Sequence, residues 1–195
     1  MKQFNIAAYI SGSGTNLRAI LDNSLSGKIN SKVKLVISNN ENAKGLNFPR
    51  ELGIDNLVIK RAGKTRDEFA EIQLKALEKH NIDLIVLAGY IKKITPKVIA
   101  KYKNKIINIH PALLPKFGGK GMYGSNVHKA VIDANEIESG PTVHYVDDIY
   151  DNGEIIHQKK VKIDKENETP ETLAQKVLEL EYIAFSEAIK ILEET

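Results

Sequence analysis

The chain has no cysteine among its 195 residues. That absence excludes disulfides, thiolate metal ligands and a cysteine nucleophile, and it suits a reducing cytoplasm. Long hydrophobic runs are missing too. The N-terminal stretch Ile6 to Ile10 is too short for a signal-peptide core or a membrane span, and nothing later approaches spanning length. Neither sign of charge dominates, since 28 Lys and Arg face 25 Asp and Glu for a formal net charge of +3. The basic clusters Arg61 to Arg66 and Lys101 to Lys105 are interrupted and offer no stacking platform. They read as a solvated lysine surface, not a nucleic-acid face. The charge balance points to neither nucleic acid nor membrane as a partner, and it does not decide between a monomer and a homodimer. A hydrophobic content of 42% with 27% charged residues is ordinary globular usage. The length fits one domain, 1–195, able to bury its own core.

What is present is an alternation of strands and helices. Phe4 to Ile10 reads as a strand, followed by a helix carrying Leu17, Ile20, Leu21 and Leu25 on one face and stopped at Gly27. Lys34 to Ser38 is a second strand, Ala43 to Leu52 a short helix, and Asn56 to Lys60 a third strand. A helix over Arg66 to His80 precedes the apolar run Asp83 to Ala88, the pattern of a parallel strand covered on both faces. Thr95 and Pro96 have the form of a cap and first position of a helix, and Ile106 to His110 is the next strand. The rhythm then changes. A Gly-rich loop, Pro115 to Asn126, leads to a short helix through Val131 and Ile132. Thr142 to Asp147 and Glu154 to Ile163 are joined by a turn too short for a helical crossover, so they pair antiparallel. Thr169-Pro170 opens a final helix with Leu173, Val177, Leu180, Ala184, Ile191 and Leu192 inward. The fold class expected is α/β: a doubly wound, mostly parallel twisted sheet, with an antiparallel C-terminal strand pair and a long C-terminal helix.

Four segments carry candidate chemistry. In Asn108-Ile109-His110-Pro111, strand periodicity puts Asn108 and His110 on one side, and Pro111 ends the strand just beyond them. An amide donor beside an imidazole can polarise a carbonyl and move a proton; the plain alternative is a turn asparagine next to a satisfied core histidine. Ser11 to Asn16 is a Gly-rich turn from strand to helix, suited to an anion or simply to a tight polar-capped turn. It lacks the third glycine and ribose-binding acid of a dinucleotide site and the Gly-Lys-Ser/Thr of a Walker loop, so a phosphomonoester fits best. Leu87 to Ile91 ends the buried strand at the same sheet edge, where open α/β sheets bind ligands. His144 reads as a ligand residue or, more simply, a hydrogen-bonded structural histidine. Asp147, Asp148 and Asp151 suit turn formation better than a metal cage, and Asp151 gains interest if it faces His110.

The ordered set Ile10-Ser11-Gly12-Ser13-Gly14-Thr15-Asn16-Leu17, Leu87-Ala88-Gly89-Tyr90, Asn108 to Pro115, and Val143 to Asp147 with Asp151 resembles the phosphoribosylglycinamide formyltransferases, from Ile6 to about Phe185. The resemblance implies formyl transfer from 10-formyltetrahydrofolate, as co-substrate and without a metal, to the amine of N1-(5-phospho-D-ribosyl)glycinamide in de novo purine synthesis in the cytoplasm. The Asn-x-His-Pro-x-Leu-Leu-Pro segment is shared by formyltransferases and hydrolases using the same folate, so a hydrolase is the alternative; a non-catalytic phosphate-binding module is another. Methionyl-tRNA formyltransferase and the deformylase carry an additional domain for which 195 residues leave no room. Carried over by position, the substrate phosphate falls on Gly14, Thr15 and Asn16, and the ribose on the last helix at Leu178 and Glu181. The folate lies along Ile91, Lys92, Lys93 and Ile94 and along Asp147, Asp148 and Asp151, also meeting Asn108, with Arg66 near its polar end. Asn108, His110 and Asp151 are the implied catalytic trio, with Asp151 favouring a protonated His110. Lys92 stands where many members have Arg, Ala112 for the commoner Ser, and Gly118 for the usual Pro.

Overall fold

The computed structural model describes residues 1–195. Its elements run β1 (Asn5–Ile10), α1 (Thr15–Leu25), β2 (Lys32–Ser38), a 3-10 turn (Lys44–Leu46), α2 (Asn47–Glu51), β3 (Asp55–Val58), α3 (Arg66–Lys79), β4 (Leu84–Leu87) and α4 (Pro96–Lys101). The second half holds β5 (Ile106–His110), α5 (Ser125–Asp133), β6 (Glu138–Ser139), β7 (Thr142–Tyr145), β8 (Ile155–Gln158), β9 (Val161–Lys162) and α6 (Pro170–Glu194). The main sheet has seven strands in the order β3-β2-β1-β4-β5-β7-β8. The first five are parallel, while β7 runs antiparallel to both β5 and β8. This is the doubly wound sheet with an antiparallel C-terminal pair that the sequence pattern implies. No helix is long and apolar enough to cross a membrane.

Strand alternation sorts the core into two layers. Ile6, Ala8 and Ile10 of β1 join Leu17, Ile20 and Leu21 of α1 and Ala184, Phe185, Ala188 and Ile189 of α6 on one face. Ala7 and Tyr9 point the other way, onto Phe69, Ala70 and Leu77 of α3 and Val98 and Ile99 of α4. β4 splits likewise, Leu84 and Val86 against Ile85 and Leu87. Both faces are therefore dry, which is why these strands are apolar throughout. The end of α6 is tied down by a buried carboxylate. Glu193 accepts from the Ser31 N–H at 2.7 Å, the Ser31 hydroxyl at 2.6 Å and the Asn30 N–H at 3.1 Å.

Several details depart from the sequence pattern. Leu25 and Ile191 are exposed rather than inward, and α6 buries Phe185, Ala188 and Ile189 instead. The stretch from Ala43 to Leu52 divides into a 3-10 turn and α2. Thr95 precedes Pro96 as expected, yet its hydroxyl makes no capping bond. The strand read over Glu154 to Ile163 is broken: β8 stays in the main sheet, while β9 pairs with β6 in a separate two-stranded ribbon. A two-residue strand leaves too little alternation to read.

Candidate active site

β5 brings the central pair to the sheet edge. Asn108 and His110 lie across from His144 and Thr142 of β7, on the face opposite Ile107 and Ile109. The strand ends where Pro111 offers no N–H. Thr142 Oγ1 then holds the following chain, donating to the Ala112 carbonyl at 2.6 Å and accepting from the Leu114 N–H at 3.0 Å. This fixes the turn that leads into the Gly-rich loop.

Four polar side chains meet at the base of a cavity of about 770 Å³. His144 donates from Nδ1 to the Tyr145 carbonyl at 2.7 Å, so its Nε2 is the acceptor for an Asn108 Nδ2 hydrogen at 3.2 Å. An amide nitrogen carries two hydrogens, so Asn108 keeps one free for a ligand. His110 donates from Nε2 to the Phe117 carbonyl at 2.8 Å, leaving Nδ1 as its basic atom, 3.5 Å from Asp151 Oδ2. Asp151 Oδ1 stands 3.6 Å from His144 Nε2, and its Oδ2 accepts the Gly119 N–H at 2.9 Å. Burial raises the Asp151 carboxyl, but the two imidazoles and the Gly119 N–H outweigh it and hold the group below its ordinary value. For His110 the balance goes the other way. Burial pushes the imidazole down further than Asp151 and the Phe117 carbonyl pull it up. Asp151 thus favours the protonated ring as expected, and burial opposes it with the larger effect.

The cavity wall accounts for most of the candidate residues. Ile91, Lys92, Lys93 and Ile94 line it on one side, with Asp147 and Asp151 nearby. Lys93 Nζ donates to the Asp148 carbonyl and lies 5.0 Å from the Tyr150 ring centre, joining the two segments. Asp147 takes the turn-forming role read from the sequence, accepting from the Ile149 N–H and the Asn152 amide. Asn16, Leu178 and Glu181 also line the cavity. Gly14, Thr15, Asp148 and Arg66 are not among the lining residues; Arg66 opens α3. Pattern reading missed His128, which lines the cavity from α5, and Glu171 and Ala174 of α6. His128 shares a helical face with Val131, a spacing that reads as core.

Gly14 has a structural duty besides any ligand. Its φ is +74°, and a Cβ there falls 2.6 Å from the Gly45 Cα, so two loops touch at their backbones. Left-handed backbone costs an L-residue about 1–2 kcal/mol. Gly14→Ala is expected to lower the melting temperature by at least roughly 2–4 °C for a chain of this size. An unchanged melting curve would show that the loop has room to spare.

Glu181 accepts the Asn16 amide at 2.7 Å and is otherwise enclosed. Burial pushes its carboxyl from 4.5 up to about 7, against the smaller downward pull of Asn16. The unfolded chain ionises this group first, so its contribution to stability is full below about 4.5 and lost as pH rises through about 7. The difference is on the order of 3 kcal/mol. Glu181→Gln keeps the acceptor and removes the titration. The variant is expected to melt above the native protein at pH 8 and close to it at pH 5; parallel curves at both would contradict the buried charge.

A family model described as formyl transferase matches residues 4–189. The chain is 40% identical over 186 residues to the phosphoribosylglycinamide formyltransferase of Haemophilus influenzae, covering 95% of this chain and 85% of that protein. It is 38% identical to the chloroplastic phosphoribosylglycinamide formyltransferase of Arabidopsis thaliana, covering 94% of this chain and 63% of the plant protein. The chain thus spans less than two thirds of the plant relatives it matches. Among solved structures, it is similar to glycinamide ribonucleotide transformylase 1 from Symbiobacterium toebii, with a TM-score of 0.90, 35% identity, and coverage of 98% of this chain and 88% of that one.

Proposed function

The chain belongs to the formyl transferase family, and from that membership we propose that residues 1–195 act in the cytoplasm as one catalytic domain, transferring the formyl group of 10-formyltetrahydrofolate to the amine of glycinamide ribonucleotide in purine synthesis. The observation that carries this reading is the Asn108, His110, His144 and Asp151 cluster at the base of a cavity roomy enough for two substrates. The neutral amine attacks the formyl carbon and a tetrahedral oxyanion forms. The free Asn108 N–H donates to that oxyanion. His110 takes the proton lost by the amine at Nδ1, with Asp151 stabilising the imidazolium, and returns it to N10 of the folate as the old C–N bond breaks. The products are the formylated amine and tetrahydrofolate, and atoms and charge balance. A neutral amine is nucleophilic enough that the scheme needs no metal or covalent intermediate.

In this reading the ribonucleotide lies along the Asn16 and α6 side. Gly14, Thr15 and Asn16 take its phosphate at the start of α1, where backbone N–H groups converge, and Leu178 and Glu181 meet the ribose. The folate lies along Ile91 to Ile94 and Asp147 to Asp151, with Arg66 toward its polar end. Holding both substrates together supplies much of the acceleration. A direct check is whether tetrahydrofolate production requires the ribonucleotide. Strict dependence is expected; equal production without it would favour the hydrolase.

A further inference from the structure

The ends of three neighbouring strands meet at one hydroxyl. Ser11, the residue after β1, is 8% exposed. Its Oγ donates to Asn39 Oδ1, just past β2, at 2.6 Å and accepts the Ile91 N–H, beyond β4, at 3.0 Å. A hydroxyl has one hydrogen, so donation to Asn39 turns a lone pair toward Ile91. Ser11 itself is not among the residues lining the cavity, whereas Ile91, Lys92, Lys93 and Ile94 all are.

Little else fixes that segment. From Gly89 to Ile94, the Ile91 N–H is the one backbone group with a hydrogen-bond partner in the protein. Tyr90 packs edge-on against Tyr9, ring centres 5.2 Å apart, and Ile94 is buried in the core. Between these anchors the Ile91 side chain is 68% exposed, so packing does not set its position. Lys93 reaches the Asp148 carbonyl only through a long flexible stem. The Gly-rich turn after Ser11 is held by other bonds. The Gly12 carbonyl accepts the Gly45 N–H at 3.0 Å, the Gly14 carbonyl the Arg18 N–H at 2.9 Å, and the Ser11 carbonyl the Asn40 amide at 3.2 Å. None of these uses the hydroxyl, so its removal loosens the segment and leaves the turn in place.

We propose that Ser11 is a positioning residue for folate binding, its hydroxyl pinning Ile91 and so setting the course of the Ile91 to Ile94 backbone along the cavity. The assignment rests on the reading above that the folate lies along this segment. A segment already held in one course loses less freedom when the folate arrives, so more of the contact energy appears as affinity. Loss of the pin falls on binding more than on the chemical step, since Ser11 touches no reacting group.

The test compares KM for 10-formyltetrahydrofolate and for glycinamide ribonucleotide in the native protein, Ser11→Ala, Asn39→Ala and the double variant. One part-buried hydrogen bond sets the scale, so Ser11→Ala is expected to raise folate KM about three- to tenfold. Ribonucleotide KM stays within about twofold, and kcat changes less than folate KM. Calorimetric binding of tetrahydrofolate to Ser11→Ala weakens by a similar factor. Asn39→Ala frees the hydroxyl to turn and raises folate KM by a smaller factor. The two effects do not multiply in the double variant, because both act through one hydroxyl. An unchanged folate KM in Ser11→Ala, an equal rise for both substrates, or effects that multiply overturns the assignment. If Ser11→Ala does not fold, Asn39→Ala decides: a rise confined to folate KM supports the assignment, and no rise or a rise for both substrates overturns it. A native protein that transfers formyl groups while these variants behave normally defeats only the role of Ser11. A native protein without transfer defeats the reading beneath it, and this assignment with it.

Discussion

Asn108→Ala is expected to lower kcat about 10²–10³-fold, the usual cost of losing one donor aimed at a developing oxyanion. KM for either substrate should change little, because the contact strengthens only as charge develops. His110→Ala should lose at least as much, since it removes the proton acceptor. The two losses should not multiply in the double variant, because both residues serve the same intermediate. Stability is a useful control. Asn108 makes its side-chain bond to His144 only, so a folded but slow enzyme is the expected outcome. Native turnover in Asn108→Ala would remove the amide from the mechanism.

The pairing of Asn108 with His110 was legible because a strand repeats every two residues and Pro111 marks its end. The doubly wound order was legible for a similar reason: Leu84 to Leu87 is apolar on both faces, as only a covered parallel strand must be. What surrounds the pair was less so. Asp151 reaches His110 because β7 lies against β5 and the turn after it folds back over the sheet edge. No local spacing encodes that approach. His144 carries an ordinary structural bond to Tyr145, which matches its plain reading, yet its other nitrogen orients Asn108. Burial, a property of the packed molecule, lowers His110 against the upward pull of Asp151, and no local spacing reports it. His128 was hidden for the opposite reason, since its helical spacing with Val131 is indistinguishable from a core position.

Asp151→Asn is the second large effect and separates charge from shape. Asparagine retains an acceptor for the Gly119 N–H while losing the anion beside His110 Nδ1. The proton accepted during the reaction is then less well held, and kcat should fall roughly ten- to a hundredfold. The pH profile carries the sign. His110 is already below its ordinary value through burial, and Asp151 opposes that shift. Removing the carboxylate lowers it further. The mechanism requires the neutral ring in the free enzyme, so activity is lost as pH falls through the His110 pKa. In the variant that loss should occur at lower pH. A slower enzyme with an unmoved acidic limb would make Asp151 a turn residue with no electrostatic role.

The most direct measurement follows the formyl group itself. The native protein is mixed with glycinamide ribonucleotide and 10-formyltetrahydrofolate carrying carbon-13 in the formyl position, and the product is read by NMR. The account predicts that the labelled carbon appears as an amide on the ribonucleotide amine, with one tetrahydrofolate released for each. Labelled formate in its place, or label that remains on the folate, would contradict it.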